Sequence, residues 1–299
     1  MHDTGWLWIV FTLLAAAGQT IRNAMQRELT TTLGTAGATH VRFLFGFPFA
    51  VVFLCGLMLI TGAALPSPPP VFWLWVLLGM GAQIVATALM LMAMGERSFV
   101  VTIAYIKTEP VQVALFGLIF LGDRLTIGMV AAILIATAGV VVMSLKPGGA
   151  ASDSWRPTLI GLSSGAAFAL SAIGYRGAIL SLGLLDYVMA ATFTLTIGLL
   201  MQALLLSGYL LLRSPQVMSA IAKAWRPSLF AGFMGAAASQ FWFLAFALAT
   251  AASVRTLALV EVLFAQAISS LVFGHKTTPR EGFGIVLIVA GVVLLIWAH

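Results

Sequence analysis

The chain has 299 residues, of which 61% are hydrophobic and only 8% charged, against roughly 25% charged in an ordinary soluble domain. A water-soluble fold could not bury that much apolar side chain, and a formal charge of +6 with no cluster of Lys and Arg excludes a duplex-binding face. The single Cys55 excludes a disulfide framework, and no two of the four His stand at i, i+4 spacing, so neither a metal nor any other cofactor is expected.

In chain order the apolar runs lie at roughly 5–24, 36–61, 71–94, 98–121, 125–145, 157–179, 184–212, 225–248, 252–273 and 279–297, each near the ~20 residues that cross a bilayer. The first run lacks a basic leader and is expected to remain as a span rather than be cleaved. Short turn signals separate the runs: Gly34 and Gly37, the proline-rich stretch 66–70, Gly95, Gly122, and Ser214 with Pro215. The longest polar stretch, Lys146 to Arg156, falls at the midpoint and divides the chain into 1–148 and 157–299. No loop is large enough to hold a soluble domain. The expected fold is therefore an all-α integral membrane protein of ten spans, five in each half.

Alternate loops carry very different charge. One set holds Arg27, Arg97, Lys146, Arg156, Arg213, Lys223, Arg226, Lys276 and Arg280; the other holds Arg124, with Arg176 and Arg255 near span ends. The basic set is expected on the cytoplasmic side, which places both termini outside.

The fourth run carries Lys107, Glu109 and Pro110 near its middle. Each ionised group there costs at least ~2.5–3.5 kcal/mol, so it needs a partner, water or a task. Pro110 has no N–H for the carbonyl of Ile106 and is expected to break the helix. A broken helix with polar groups at mid-membrane depth is how many transporters build a binding site.

A displacement of 152 residues lays the third to fifth runs over the eighth to tenth. Glu109 then falls on Glu261, Gly122 on Gly274, Ala86 on Ala238, Ala93 on Ala245, and 138–141 on 290–293, both reading Ala-Gly-Val-Val. A displacement near 154 lays Arg22 on Arg176. Since each half holds an odd number of spans, the second is expected to lie inverted in the bilayer, with a central cavity at the interface.

These landmarks resemble the ten-span drug/metabolite transporters built of two EamA-type repeats. The resemblance rests on Val41-Arg42-Phe43-Leu44, on Ala93, Pro110 and Gly122-Asp123-Arg124-Leu125, and on the doubled Ala-Gly-Val-Val endings. It implies a bacterial inner-membrane exporter of small metabolites, often amino acids, with drugs or nucleosides for some members. It also implies a cavity between the third, fourth, eighth and ninth spans. The chain departs from the pattern at Val262, at Gly274-His275-Lys276, and in the charge of the Lys107/Glu109 pair.

Glu109 and Glu261 occupy equivalent positions, where a carboxylate could bind a substrate ammonium or exchange a proton; the structural alternative pairs Glu109 with Arg42 or Lys107 and Glu261 with Arg255. Arg42, with His40 nearby, could grip a substrate carboxylate or snorkel to an interface. Gln83, Gln240 and Trp242 need hydrogen-bond partners, which a cavity or a neighbouring helix can supply. Tyr105 precedes the break and could line the same cavity, with Pro110 as its hinge. The G-x-S-x-G string at Ser163 sits in an apolar helical run without a catalytic partner and is read as chance.

The expected function is export of small zwitterionic metabolites, most plausibly amino acids with large apolar or aromatic side chains, by alternating access. The expected partners are the lipid bilayer, a small-molecule substrate and a proton as candidate coupling ion, with no nucleic acid and a monomeric chain. A lipophilic-cation efflux transporter is the alternative, and Lys107 counts against it. An intramembrane enzyme is disfavoured, because neither a hydrolytic dyad nor a metal-ligand set is found.

Overall fold

The structure, a computed structural model, describes residues 5–96, 105–144, 156–184, 186–264, 266 and 278–298, which are helical nearly throughout, with no strand among them. In hydrocarbon a backbone must satisfy its own N–H and C=O groups, and an open chain does so as helix. The helices are α1 (Leu7–Thr61), α2 (Pro70–Glu96), α3 (Glu109–Phe116, continued by a wide turn over Gly117–Leu121), α4 (Ile127–Ser144) and α5 (Arg156–Ser181). They are followed by α6 (Tyr187–Arg213), α7 (Pro215–Lys223), α8 (Trp225–Leu248), α9 (Ala251–Leu257, tightened to a 3₁₀ turn over Ala258–Val260) and α10 (Pro279–Ala298). Five stretches, Glu28–Thr61, Pro70–Ala93, Tyr187–Arg213, Trp225–Leu248 and Pro279–Ala298, are long and apolar enough to cross a membrane. Two more apolar helices, Glu109–Leu121 and Ile127–Met143, are shorter. The chain is all-helical, and its apolar helices are compatible with a membrane-embedded protein.

The sequence expectations need three adjustments. The first helix does not stop near residue 24 but continues to Gly34, whose φ of 68° and ψ of 174° break α1 into two limbs. That conformation suits a residue without a Cβ. Ser214 and Pro215 do not simply turn the chain: they open α7, with Pro215 in its first turn, where a missing N–H costs no hydrogen bond. Its Val217 meets α1 at Gly37, and Ile221 is buried. The run expected over 252–273 begins as α9 and its 3₁₀ turn. Residues 97–104 and 267–277, which include parts of the fourth and ninth expected runs, and most of the joint at 146–156 lie outside the described residues.

Small side chains set the packing. The helix pairs in closest contact are α1 with α8, α2 with α5, and α4 with α10. A Cβ on Gly174 of α5 would lie 2.5 Å from the backbone N of Gly79 and 2.9 Å from the carbonyl O of Trp75 on α2. On α8, a Cβ on Gly232 would lie 2.4 Å from Phe45 Cβ on α1. Such approaches maximise dispersion between helices where apolar lipid gives no hydrophobic drive. Replacing Gly174 with valine must separate two backbones, so the expected loss is about 3 kcal/mol, the upper end for overpacking. Gly208→Ala, with nothing within 4 Å of the added methyl, is expected to change stability by less than about 0.5 kcal/mol. Thermal unfolding of the two variants in detergent makes the comparison.

Contacts at α4 and α10 are reciprocal. A Cβ on Gly139 would meet the O of Gly284 at 2.7 Å and the N of Ile288 at 2.8 Å. One on Gly291 would meet the O of Ala132 at 2.8 Å and the N of Ala136 at 2.6 Å. Gly139 and Gly291, Ala132 and Gly284, and Ala136 and Ile288 are each 152 positions apart. The same displacement relates the turn at Lys107–Thr108 to the 3₁₀ turn at Ala258–Val260.

Candidate functional site

The break before α3 builds the site. Tyr105 and Ile106 are helical, Lys107 and Thr108 form a turn, and α3 starts at Glu109. Pro110 stands in the first turn of α3, so its absent N–H leaves no gap in a helical ladder. The Thr108 hydroxyl donates to the carbonyl of Tyr105 at 2.8 Å, and the amide of Val111 donates to the carbonyl of Thr108 at 3.2 Å. Lys107 and Glu109 therefore leave the chain in different directions and do not meet.

Each reaches the other half of the chain instead. Glu109 accepts two parallel bonds from Arg255, Nε to Oε1 and Nη2 to Oε2, both 2.6 Å. This bidentate fork is the strongest geometry open to a carboxylate. The Lys107 ammonium pairs with Oε1 of Glu261. The pairing thus differs from the expected structural alternative, in which Glu109 would take Arg42 or Lys107 and Glu261 would take Arg255. Arg255 belongs to the last turn of α9, whose start is capped by the Thr250 hydroxyl accepting from the amide of Ser253 at 3.2 Å. Val262 stands where Pro110 stands in the first half, yet the second break persists as the 3₁₀ turn just ahead of Glu261.

Two further side chains join the pairs. Gln19 of α1 donates to Oε2 of Glu261 at 3.3 Å and accepts from the Trp242 indole of α8 at 3.1 Å. The Arg255 guanidinium lies 4.6 Å from the centroid of the same indole, a cation–π contact that strengthens when desolvated. Polar contacts run from Lys107 through Glu261, Gln19, Trp242 and Arg255 to Glu109. All four charged groups are sealed: the exposures of Lys107, Glu109, Arg255 and Glu261 are 6%, 3%, 8% and 6%.

Beside them lies a cavity of about 30 Å³ lined by Gln19, Arg42, Gln83, Tyr175, Trp242 and Arg255, together with Phe168, Phe243 and Phe246. That volume is about one water's share of the liquid. Among the described residues neither Lys107 nor Glu109 lines this cavity; each is held in its ion pair instead. Arg42 does reach the cavity, with its Nη1 donating to the Thr87 hydroxyl at 3.3 Å. Gln83 accepts from Tyr175 at 3.3 Å and from Gln202 at 2.9 Å.

Of the residues expected at the site, the structure brings together Lys107, Glu109, Glu261, Arg42, Gln83 and Trp242. The other three lie elsewhere. Gln240 donates to the Thr192 hydroxyl at 2.8 Å and ties α8 to α6. His40 lies 3.0 Å from the Ser207 hydroxyl and ties α1 to α6. Tyr105 packs on α5, where a Cβ on Gly161 would touch its own Cβ at 2.7 Å. Gln19 and Tyr175 are not among the residues expected from sequence, and Arg255 was expected near a span end and as a partner for Glu261 rather than for Glu109. The signal was available, since Gln19 and Arg255 are polar residues inside apolar runs.

A second charged contact lies apart from this cluster. Arg176 faces Asp123 at 3.6 Å, and its Nη1 donates to the carbonyls of Phe246 and Ala249 at the end of α8. A cation there complements the negative end of the helix dipole.

No protein-family model matches the chain, and no curated protein matches it. Its fold is similar to that of a protein solved by crystallography, with a TM-score of 0.72 at 15% identity, over 98% of this chain and 96% of that one. At that identity the likeness is one of fold alone, and it extends over essentially the whole chain.

Proposed function

We propose that this chain is a secondary transporter that exports small zwitterionic metabolites, amino acids foremost, across a bacterial cytoplasmic membrane by alternating access. In this reading it has ten spans, arranged as two inverted five-helix repeats of the EamA type (1–148 and 157–299), with both termini outside. The observation that carries it is the exchange of ion pairs between two broken helices, Glu109 to Arg255 and Lys107 to Glu261, beside a small cavity. Buried charge at helix breaks marks substrate and ion pathways in membrane proteins. The reciprocal contacts of Gly139 and Gly291, and the equivalent breaks near 107 and 259, support a two-fold relation between halves. With an odd number of spans per half, that relation is an inversion.

The small cavity and the buried ion pairs leave no room for a substrate, as expected of a state between the substrate-admitting ones. In the cycle one pair opens as substrate enters from the cytoplasm, the halves rock, and the pairs re-form after release. A proton delivered to Glu261 would release Lys107, which makes the proton the natural coupling ion. The lipophilic-cation reading is less well supported, because both buried carboxylates already hold cations.

The test is counterflow into liposomes containing the purified full chain, with labelled amino acids and lipophilic cations, with and without a pH gradient. Saturable counterflow of amino acids is expected, with slower exchange when Glu261 is replaced by glutamine. Transport of lipophilic cations alone would overturn the proposal.

A further inference from the structure

Among the described residues the buried ionisable side chains other than His40 and Tyr175 are Arg22, Arg42, Lys107, Arg255, Glu109 and Glu261. Lys107 and Arg255 hold the two carboxylates. That leaves Arg22 and Arg42, 1% and 3% exposed, with no ion pair of their own among the described residues; the field of Glu261 reaches Arg22, but that carboxylate already holds Lys107. Arg22 donates from Nη2 to the Asn23 side-chain oxygen at 2.8 Å, while its Nε and Nη1 have no hydrogen-bond partner. Arg42 reaches the Thr87 hydroxyl from Nη1, and its Nε has none. The two guanidinium stems converge: a Cβ on Gly235 would lie 3.4 Å from Arg42 Cγ and 3.6 Å from Arg22 Cδ.

Two adjacent, desolvated guanidiniums that share only the distant field of a carboxylate already paired elsewhere are an unfavourable way to pack a protein interior, since incompletely compensated buried charge is destabilising. Their planar forks present parallel N–H donors matched to an oxyanion. Arg42 lines the central cavity, and Gln19, one turn before Arg22 on the same helix, lines it too.

We propose that Arg22 and Arg42 together form a carboxylate-binding subsite, so that the preferred substrates are net-anionic carboxylates such as dicarboxylates and acidic amino acids. This deepens the transporter reading and rests on it for the physiological role, though binding can be measured without transport. The substrate's carboxylate replaces the missing counter-ion as the cavity opens to admit it. In this structure Glu109 and Glu261 are engaged by Arg255 and Lys107, so the charged groups not already held in an ion pair at this site are the two guanidiniums.

Thermal unfolding of the purified full chain with succinate, aspartate, phenylalanine or phenethylammonium tests the subsite, because a ligand that binds the native state raises its Tm. Succinate and aspartate are expected to raise Tm by several degrees, phenylalanine by less, and phenethylammonium not at all. Arg22→Gln and Arg42→Gln should weaken succinate binding at least tenfold, with Arg22→Lys retaining part of it. Without ligand, Arg22→Gln should melt no lower than the unsubstituted protein, because it removes an uncompensated charge.

An undiminished succinate shift in either glutamine variant would overturn the subsite. So would stabilisation by phenethylammonium equal to that by succinate, or an Arg22→Gln protein that melts lower without ligand while Arg42→Gln keeps the shift. Counterflow with the same panel separates the two proposals. Carboxylate stabilisation without transport defeats the transporter and leaves the subsite; transport of aspartate unaffected by Arg22→Gln and Arg42→Gln does the reverse. Neither shift nor counterflow with any carboxylate defeats both.

Discussion

Glu109→Gln is expected to cost about 3–5 kcal/mol, the range for removing one partner of a buried ion pair, and to be the most damaging single substitution in the interior. The carboxylate accepts both forks of Arg255, and both residues are sealed from solvent. A neutral amide offers one acceptor oxygen in place of two charged ones and turns its NH₂ donors toward the guanidinium. Arg255 would keep the Trp242 ring and at most one neutral hydrogen bond in place of the charged fork. Because the penalty is that of a stranded charge, removing the charge should relieve it. The double variant Glu109→Gln, Arg255→Met is expected to recover at least about half the loss, as when buried ion pairs are replaced whole by apolar residues. A double-mutant cycle by unfolding in detergent measures the recovery. Additive losses would mean that the two residues do not act as a pair.

Lys107→Met is expected to separate transport from stability. Glu261 loses its ammonium but keeps the 3.3 Å hydrogen bond from Gln19, and the lost contact is a single point charge rather than a fork. The expected destabilisation is therefore smaller than for Glu109, about 2–3 kcal/mol, in the range for leaving a hydrogen-bonded charged group without its counter-ion. Counterflow, by contrast, should fall at least tenfold, because the pair must open and re-form between the two broken helices in every cycle. Adding Glu261→Gln should restore stability, since no charge is then stranded, but should not restore counterflow. Recovery of both in the double variant would make this pair a structural tie.

The helices were largely legible because a membrane chain announces them by hydrophobic run length. The exceptions have local causes. Residues 25–33 read as a connection because Arg27, Glu28 and three successive Thr follow Gln26, yet they prolong the first limb of α1 until Gly34 ends it. The nine-residue α7 opens with Ser214 and Pro215, a pair that also begins turns.

At the site, Lys107 and Glu109 were conspicuous because charge inside an apolar run is costly, and Pro110 pointed to the break. Their partners were not legible. Spacing along one helix cannot show that a break sends neighbouring side chains to two different residues near 255 and 261. Gln83 and Gln240 carry the same signature in the sequence, but one reaches the cavity and the other joins two helices. Arg22 stood out only as a landmark of the repeat, and its lack of an ion pair of its own is a property of three-dimensional packing.

Alternating access at the cavity is the central claim, and cysteine accessibility tests it most directly. Ser171 lines the cavity together with Arg255 and Trp242, and Cys55 is the chain's natural cysteine. Ser171→Cys in a Cys55→Ser background, reconstituted in one orientation, can be challenged from either side with a membrane-impermeant thiol reagent. The account predicts labelling from both sides during exchange, slowed from both sides when Lys107 is replaced by methionine. Labelling from neither side during turnover, or from one side alone under every condition, would contradict it.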